Sequence, residues 1–329
     1  MENMVTWEGK RVFVTGHLGF KGSWLYTWLR MLKARVVGYD IKYSNNDILD
    51  YENLFREIKA FKPEIIFHLA AQPLVLESIK RPLNTFETNI MGTAHVLEAA
   101  RLVGGVKAII NVTSDKCYAT KSSPHKEADP LGGNDPYSAS KACSELISET
   151  YRRSYNLPVA TARAGNVIGC GDWSENRLFP DIIRAIRNNH YVKIRQPYAV
   201  RPWQFVLEPL NGYLTLALYL YMYGMEYAEA WNFGPDKDYS VYDIVNIAEI
   251  ADAVTFIITE DIFPSETRYL SLDSTKAKAR LGWFPVLSIE EAIKWTIAGY
   301  NGKISWEDQI LEFCKLVLAR SRDHQTVAG

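Results

Sequence analysis

The tightest constraint on this chain is the stretch 12–22, VFVTGHLGFKG. An apolar run, Val12-Phe13-Val14, meets a turn punctuated by Gly16, Gly19 and Gly22, and a helical pattern, SWLYTWLRML, opens directly behind it. That is a strand, a tight turn and a helix N-terminus. Glycines in such a turn let the backbone approach an anion, and the free N–H groups and positive end of the helix dipole hold it. The unit suits a pyrophosphate. A glycine triplet alone is weak, because any strand-to-helix turn can use glycine. The next strand, Arg35–Tyr39, strengthens it. It ends in Asp40, eighteen residues past Gly22, near the spacing expected of a carboxylate on an adenosine ribose. A solvated loop acid is the plain alternative. As a cofactor contact, Asp40 favours NAD over NADP, since a carboxylate repels a 2′-phosphate.

The first half alternates the two kinds of segment. A helix is expected near Tyr51–Phe61, then the strand EIIFHLAA, an amphipathic helix near Pro82–Val103 stopped by Gly104-Gly105, and the β-branched strand VKAIINVTS. A helix from Tyr137 to Tyr155 and the strand LPVATARAG follow. Continuous apolar strands between helices mean a parallel sheet covered on both faces, and right-handed crossovers make it doubly wound. The expected class is α/β, a Rossmann-type doubly wound parallel sheet with a smaller mixed α/β substrate domain. Residues 1–165 form the first, with 207–236 returning to it through the strand-like AWNFGP. Residues 166–206 and 237–329 form the second, with helices near Arg177–Asn188, Val241–Ala251, Ile289–Ala298 and Trp306–Leu318.

Composition removes several classes of function. Lys+Arg (37) and Asp+Glu (38) nearly cancel in 329 residues, so no nucleic-acid or membrane-surface partner is expected. The N-terminus lacks the apolar core of a signal peptide. The stretch Leu210–Met222 is too short to span a bilayer. The four cysteines (117, 143, 170 and 314) form neither a C-x-x-C pair nor a Cys/His cluster. A reduced, cytoplasmic, metal-free protein follows.

Two constellations carry chemistry. Tyr137 and Lys141 form Y-x-x-x-K near a helix start, with both side chains on one face. Tyrosine, with a pKa of about 10, is a poor base unless a lysine ammonium and an oxidised nicotinamide ring stabilise its phenolate. Tyr137 then takes a proton from a sugar hydroxyl as hydride leaves for NAD. Ser114-Asp115-Lys116 stands at the carboxyl end of an apolar strand, where doubly wound sheets place ligands. It offers a hydroxyl, an acid and an amine; simple capping and solvation is the bland reading. His68 is expected to cap a strand end, without a role as base.

The glycine turn, HLAAQP, SDKCY, DPYSASK, RAGNVIG, RPWQFVLEPL and WNFGP together resemble the extended short-chain dehydrogenase/reductase superfamily, over Gly9 to about Pro285. Within it the chain is most similar to CDP-glucose 4,6-dehydratases, in which SDK stands where dTDP-glucose dehydratases carry TDE. The resemblance implies that Tyr137, hydrogen-bonded to Ser114 and tuned by Lys141, deprotonates the sugar hydroxyl on carbon 4. Hydride passes to NAD, a base near Lys116 removes the carbon 5 hydrogen, Asp115 protonates the departing carbon 6 hydroxyl, and the hydride returns to carbon 6. A lysine that only orients Asp115 is the alternative for Lys116. The implied cofactor contacts are Gly16, Gly19, Phe20, Gly22, Asp40, Asp47, Ile48, Leu69, Ala70, Ala71, Thr88, Tyr137 and Lys141. The implied substrate contacts are Asn166, Arg195, Arg201 and Trp203, the arginines toward pyrophosphate and Trp203 as a base-stacking or a core side chain. Pairing of the helices 82–103 and 137–155 with their copies implies a homodimer or homotetramer.

The chain departs from that pattern. Asp40 reaches Asp47-Ile48 by a short polar loop, without a proline-rich segment. ATKSSPHKEADPL replaces an aromatic-rich stretch after SDKCY. Phe205 and Ser265 stand where histidines are expected. The catalytic set is intact, and the changes are expected at the cofactor rim and substrate side. Alternatives are therefore a dehydratase for a GDP-, dTDP- or UDP-linked hexose or heptose, a 4-epimerase or 4-dehydrogenase, and a non-catalytic NAD-binding regulator.

Overall fold

A computed structural model describes residues 6–44, 46–121, 123–252, 255–259 and 268–327. Its centre is a parallel sheet of six strands: β1 (Arg11–Thr15), β2 (Arg35–Tyr39), β3 (Ile65–His68), β4 (Ala108–Val112), β5 (Val159–Ala164) and β6 (Ala230–Phe233). Their order is β6-β5-β4-β3-β1-β2, and all pairs are parallel. The chain winds outward from β1 to β2, then crosses back to β3. The strand direction of winding therefore reverses between β1 and β3, the place where such sheets open a crevice.

The strands are mostly apolar because both faces are covered. Alternate residues serve opposite cores. Val12, Val14, Ile65, Phe67, Ala108 and Ile110 join the larger cluster. Phe13, Ile66, Ile109 and Val159 join the smaller one on the other side. Helix α1 (Phe20–Met31) buries Trp24, Leu25, Trp28 and Leu29, the spacing of one helical face. Helix α2 (Tyr51–Phe61) is capped by Asp50, whose side chain accepts from the Asn53 N–H.

The helical run 82–103 is less regular than its sequence pattern. It comprises Pro82–Phe86, a π-turn at Glu87–Met91 and helix α3 (Gly92–Val103). The π-turn carries Thr88 to the crevice and lets Asn89 bond the Gln72 backbone through both side-chain ends, at 2.8 and 3.1 Å. Helix α4 (Pro136–Tyr155) opens on Asp135, which accepts from the Ser138 N–H, with Pro136 at the first helical position.

Beyond the sheet, α5 (Leu178–Asn188) and α6 (Leu207–Tyr223) bracket short paired strands, Val167–Ile168 with Gln204–Phe205 and Val192–Ile194 with Phe256–Ile258. Strand β6 pairs with β5, so WNF does return to the sheet. The last helix extends over Trp306–Val327, past the expected Leu318. Trp306 stacks on Trp24 with ring centroids 4.6 Å apart, which fastens that helix to α1.

Phe205 corrects an expectation. It does not face the crevice. It is fully buried and meets Trp24 and Trp295 edge-on, at 6.0 and 5.6 Å. The exchange of a histidine for an aromatic hydrocarbon there is a core substitution, because its neighbours are tryptophan faces. Ser265 lies outside the described residues.

Candidate active site

Parallel strands put all their carboxyl ends on one edge. Gly16 follows β1, Asp40 follows β2, Leu69 and Ala70 follow β3, Thr113 and Ser114 follow β4, and Gly165 and Asn166 follow β5. A cavity of about 1150 Å³ runs along these ends. Every residue expected at the site from the sequence lines it: the glycine-turn set, Asp40, Asp47, Ile48, Leu69, Ala70, Ala71, Thr88, Ser114, Asp115, Lys116, Tyr137, Lys141, Asn166, Arg195, Arg201 and Trp203.

The glycine turn is shaped by close approach. Gly16 has φ +73°, and a Cβ there would lie 2.6 Å from the Ala70 nitrogen. A Cβ on Gly22 would overlap the Gly16 carbonyl oxygen. The first turn of α1 has no side-chain cap and no acidic residue. Its N–H groups are therefore left for an anion. The Asp40 carboxylate accepts from the Leu18 N–H and the Lys42 N–H, each at 3.0 Å. It thereby locks the turn to the end of β2. Ile48 closes the far end: its carbonyl accepts from His95 at 2.9 Å, and its side chain fills the space that Gly92 leaves. A bare helix start, a backbone cradle and an acid at the end of β2 together fit a dinucleotide.

At the other end sit the titratable groups. The Ser114 hydroxyl donates to Asp115 Oδ1 at 2.9 Å and accepts from the Lys116 N–H at 3.2 Å. Asp115 Oδ2 is buried with no hydrogen-bond partner among the described residues. Gly165 leaves room beside it, since a Cβ there would lie 3.1 Å away. Burial pushes the Asp115 carboxyl up, and Lys116, Ser114, Arg201 and Lys21 oppose that. A neutral, proton-bearing carboxyl is the form that burial favours.

Tyr137 stands in the first turn of α4, its N–H on the Ser78 hydroxyl at 3.1 Å. Burial pushes its phenol up to about 12, while Ser114 and Arg177 pull it down. Lys141 Nζ donates to the Val112 carbonyl at 3.1 Å and is pushed down to about 8, chiefly by burial. His68 ends β3 as expected. Its ring bonds Thr15 at 2.7 Å and Thr93 at 3.2 Å, and burial, with Lys141 adding to it, drives it down to about 3.

A polar layer fixes this end from behind. Glu145, one turn past Lys141, is buried and bonds Thr113, Thr161 and Arg163, the last as an ion pair of 2.7 Å. Thr113 precedes Ser114, so the layer sets the height of the β4 strand end.

The side expected to take substrate is built by loops. The Asn166 carbonyl accepts from the Gln204 N–H at 3.0 Å. Arg201 is buried, with a guanidinium N–H on the Val200 carbonyl at 2.8 Å. Arg195 reaches Asn176 at 3.2 Å. Trp203 is buried on the cavity wall, with no partner for Nε1 among the described residues. Among the lining residues not named from the sequence are Lys21 and Arg177. Lys21 carried a signal, a charge inside the glycine motif. Arg177 carried none, because only the fold brings its loop over the strand ends, where it pairs with Asp172 at 2.9 Å.

Among the described residues no group of three His, Cys, Asp or Glu is placed to hold a metal, and no helix is long and apolar enough to cross a membrane.

Comparison with known proteins agrees with this geometry. The chain is 43% identical to a CDP-glucose 4,6-dehydratase of Salmonella typhimurium, over 93% of this chain and 94% of that one. Its fold is similar to that of a dTDP-glucose 4,6-dehydratase from Streptomyces venezuelae solved with NAD and TYD bound, with a TM-score of 0.79 and 25% identity over 91% of this chain and 99% of that one. It is also similar to a UDP-glucose 4-epimerase from Thermotoga maritima solved with UDP-glucose, with a TM-score of 0.78 and 25% identity over 89% and 99% of the two chains. The sequence profile of the NAD dependent epimerase/dehydratase family matches residues 12–219. With the dinucleotide cradle at one end of the crevice and the tyrosine, lysine and acid at the other, the chain belongs to that family of NAD-dependent enzymes.

Proposed function

We propose that the protein is a nucleotide-sugar 4,6-dehydratase, a lyase that converts CDP-D-glucose to CDP-4-keto-6-deoxy-D-glucose. One observation carries the reading. Asp115 presents a buried, unpartnered carboxyl oxygen beside Tyr137. A 4-epimerase or 4-dehydrogenase needs the tyrosine and no acid at carbon 6. The 43% identity to a CDP-glucose 4,6-dehydratase supports the choice of nucleotide.

NAD, when bound along the glycine turn, supplies the hydride acceptor for carbon 4 and the donor for carbon 6. The chain's own residues do the rest. Tyr137 takes the proton of the carbon 4 hydroxyl, with Arg177 favouring its phenolate. Lys141 braces that end of the cofactor site from the Val112 carbonyl. The ketone acidifies the carbon 5 hydrogen. A base near Lys116, on the same turn as Asp115, takes it, and Asp115 gives its proton to the carbon 6 hydroxyl, which leaves as water. Asn166 meets the sugar, Arg195 and Arg201 the pyrophosphate, and Trp203 the base. In this reading residues 1–165 with 207–236 bind the cofactor, and 166–206 with 237–329 bind the substrate.

We further infer a homodimer or homotetramer. Leu83, Met91 and Leu102 on the run 82–103, with Leu146 and Tyr155 on α4, are exposed. Apolar faces on two such helices suit pairing with a second copy. Four free cysteines fit a reducing cytoplasm.

The test offers purified protein a panel of CDP-, dTDP-, GDP- and UDP-sugars, with products read by mass spectrometry. Loss of one water from CDP-glucose without net NADH is the expected result. Water loss from another nucleotide changes the substrate. Unchanged mass with inverted stereochemistry, accumulating NADH, or no turnover would favour the epimerase, the dehydrogenase or the regulator.

A further inference from the structure

A seam between two loops closes over Asp115. Gly165 follows β5, and Pro202 lies between the short strands Val200–Arg201 and Gln204–Phe205. Backbone bonds hold the two segments side by side. The Gln204 N–H donates to the Asn166 carbonyl at 3.0 Å, and the Val206 N–H to the Ile168 carbonyl at 2.8 Å. Gly165 has no Cβ, and the Pro202 ring takes that space. A Cβ there would lie 2.2 Å from Pro202 Cγ and 3.1 Å from Asp115 Oδ2. The proline ring and the carboxyl oxygen are thus neighbours across a single point. Pro202 is buried and does not line the cavity, whereas Asp115 does.

What Pro202 lacks matters as much as what it fills. Ser114 occupies Asp115 Oδ1, and Oδ2 is buried with no hydrogen-bond partner among the described residues. Any other residue at 202 would bring a backbone N–H into the seam. Proline has none, and its ring carbons neither donate nor accept. A carboxylate against hydrocarbon and out of reach of water is costly, and the neutral carboxyl far less so. The titratable groups around the acid are Lys116 and Cys117 from its own turn, Arg201 before Pro202, Lys21 on α1, Tyr137 on α4 and Tyr213 on α6. Burial outweighs the cations among them and pushes the Asp115 carboxyl up.

We infer that Pro202 is a positioning residue for water loss: seated on Gly165, its ring keeps water and backbone donors away from Asp115 Oδ2, so the acid holds its proton until the sugar takes it. The inference rests on the dehydratase reading. In that step the Asp115 O–H bond breaks and the proton joins the oxygen on carbon 6. The carbon 6–oxygen bond breaks, its electron pair leaving with water. The electrons of the carbon 5–hydrogen bond form the new double bond as a base near Lys116 takes the proton. Pro202 exchanges no proton, and its effect passes through Asp115.

The direct test is titration of Asp115 by carbon-13 NMR in the holoprotein labelled at aspartate carboxyls, the signal assigned with Asp115→Asn. The wild-type midpoint is expected above the ordinary aspartate value of about 3.9. Pro202→Ala, which opens the seam and restores an N–H, is expected to lower it by about one pH unit. Pro202→Val, which keeps the apolar cover, should stay closer to wild type. These measurements need no substrate. In stopped flow with CDP-glucose, Pro202→Ala is expected to slow water loss about tenfold more than oxidation, so reduced nicotinamide accumulates, and Pro202→Val restores most of the balance. A wild-type midpoint at or below about 3.9 overturns the inference without any variant. So does an unmoved midpoint in a folded, NAD-retaining Pro202→Ala protein, or equal slowing of both steps. A midpoint that moves as expected in a protein that dehydrates no sugar sinks the dehydratase reading and leaves the seal over Asp115 standing.

Discussion

Ser114 donates its hydroxyl hydrogen to one oxygen of Asp115, at 2.9 Å, and leaves the other oxygen buried without a partner among the described residues. The two residues are adjacent in the chain. The serine sits at an extended backbone, φ −165°, and caps the short turn Asp115–Cys117 that aims the carboxyl inward. The same serine acts on the Tyr137 phenol. One hydroxyl therefore stands between the phenol and the buried acid.

Asp115→Asn keeps the shape of this contact and removes the proton. Oxidation at carbon 4 is expected to proceed while water loss falls by roughly a hundredfold or more, the range typical of a lost general acid. Absorbance of reduced nicotinamide should rise and persist. A variant with wild-type product formation removes Asp115 from the acid role.

Tyr137→Phe should abolish turnover and leave NAD bound, because the phenol oxygen is the proton acceptor and the backbone contact to Ser78 is unchanged. Retained NAD is read from protein-bound absorbance after gel filtration. Near-normal rates would mean that another group is the base.

His68 links stability to pH. Its ring is held neutral, at about 3 in the folded chain against about 6.5 unfolded. Between those values the unfolded chain binds the extra proton. The ring's contribution is therefore fully present above about 6.5 and is lost as pH falls. At pH 4.5 the loss amounts to roughly 3 kcal/mol. Urea unfolding at pH 7 and 4.5 should show that slope shrinking in His68→Gln. An equal slope in both proteins would place the acid sensitivity elsewhere.

Gly22→Ala forces a methyl group onto the Gly16 carbonyl. The turn cannot keep its shape, and NAD retention should be lost with about 2–4 kcal/mol of stability. Thermal melting with and without NAD measures both. A stable variant that still retains NAD would show that the turn tolerates the shift.

Phe205→His restores the residue expected from the resemblance and tests where the difference matters. An imidazole between Trp24 and Trp295 buries a polar ring with no donor or acceptor from those faces. A loss of about 1–3 kcal/mol is expected, with the order of preference among nucleotide sugars unchanged. A changed nucleotide preference would put the position back at the substrate side.

Much of this was legible in the residues. The sheet strands, the glycine turn and Y-x-x-x-K depend on near neighbours: a period of two or of 3.6, a cap, a turn that only glycine fits. Carboxyl ends of parallel strands must share an edge, so Ser114, Asp115 and Tyr137 could be placed together before any coordinate was known. Long-range packing decided the rest. Nothing local distinguishes Phe205 in a tryptophan-lined core from a residue at a substrate rim. No pattern in 172–177 brings Arg177 to the strand-end cavity. The balance at the phenol, too, belongs to the assembled fold. A side chain's pKa is set by how much water its neighbours exclude and which charges they bring, and those neighbours come from distant parts of the chain.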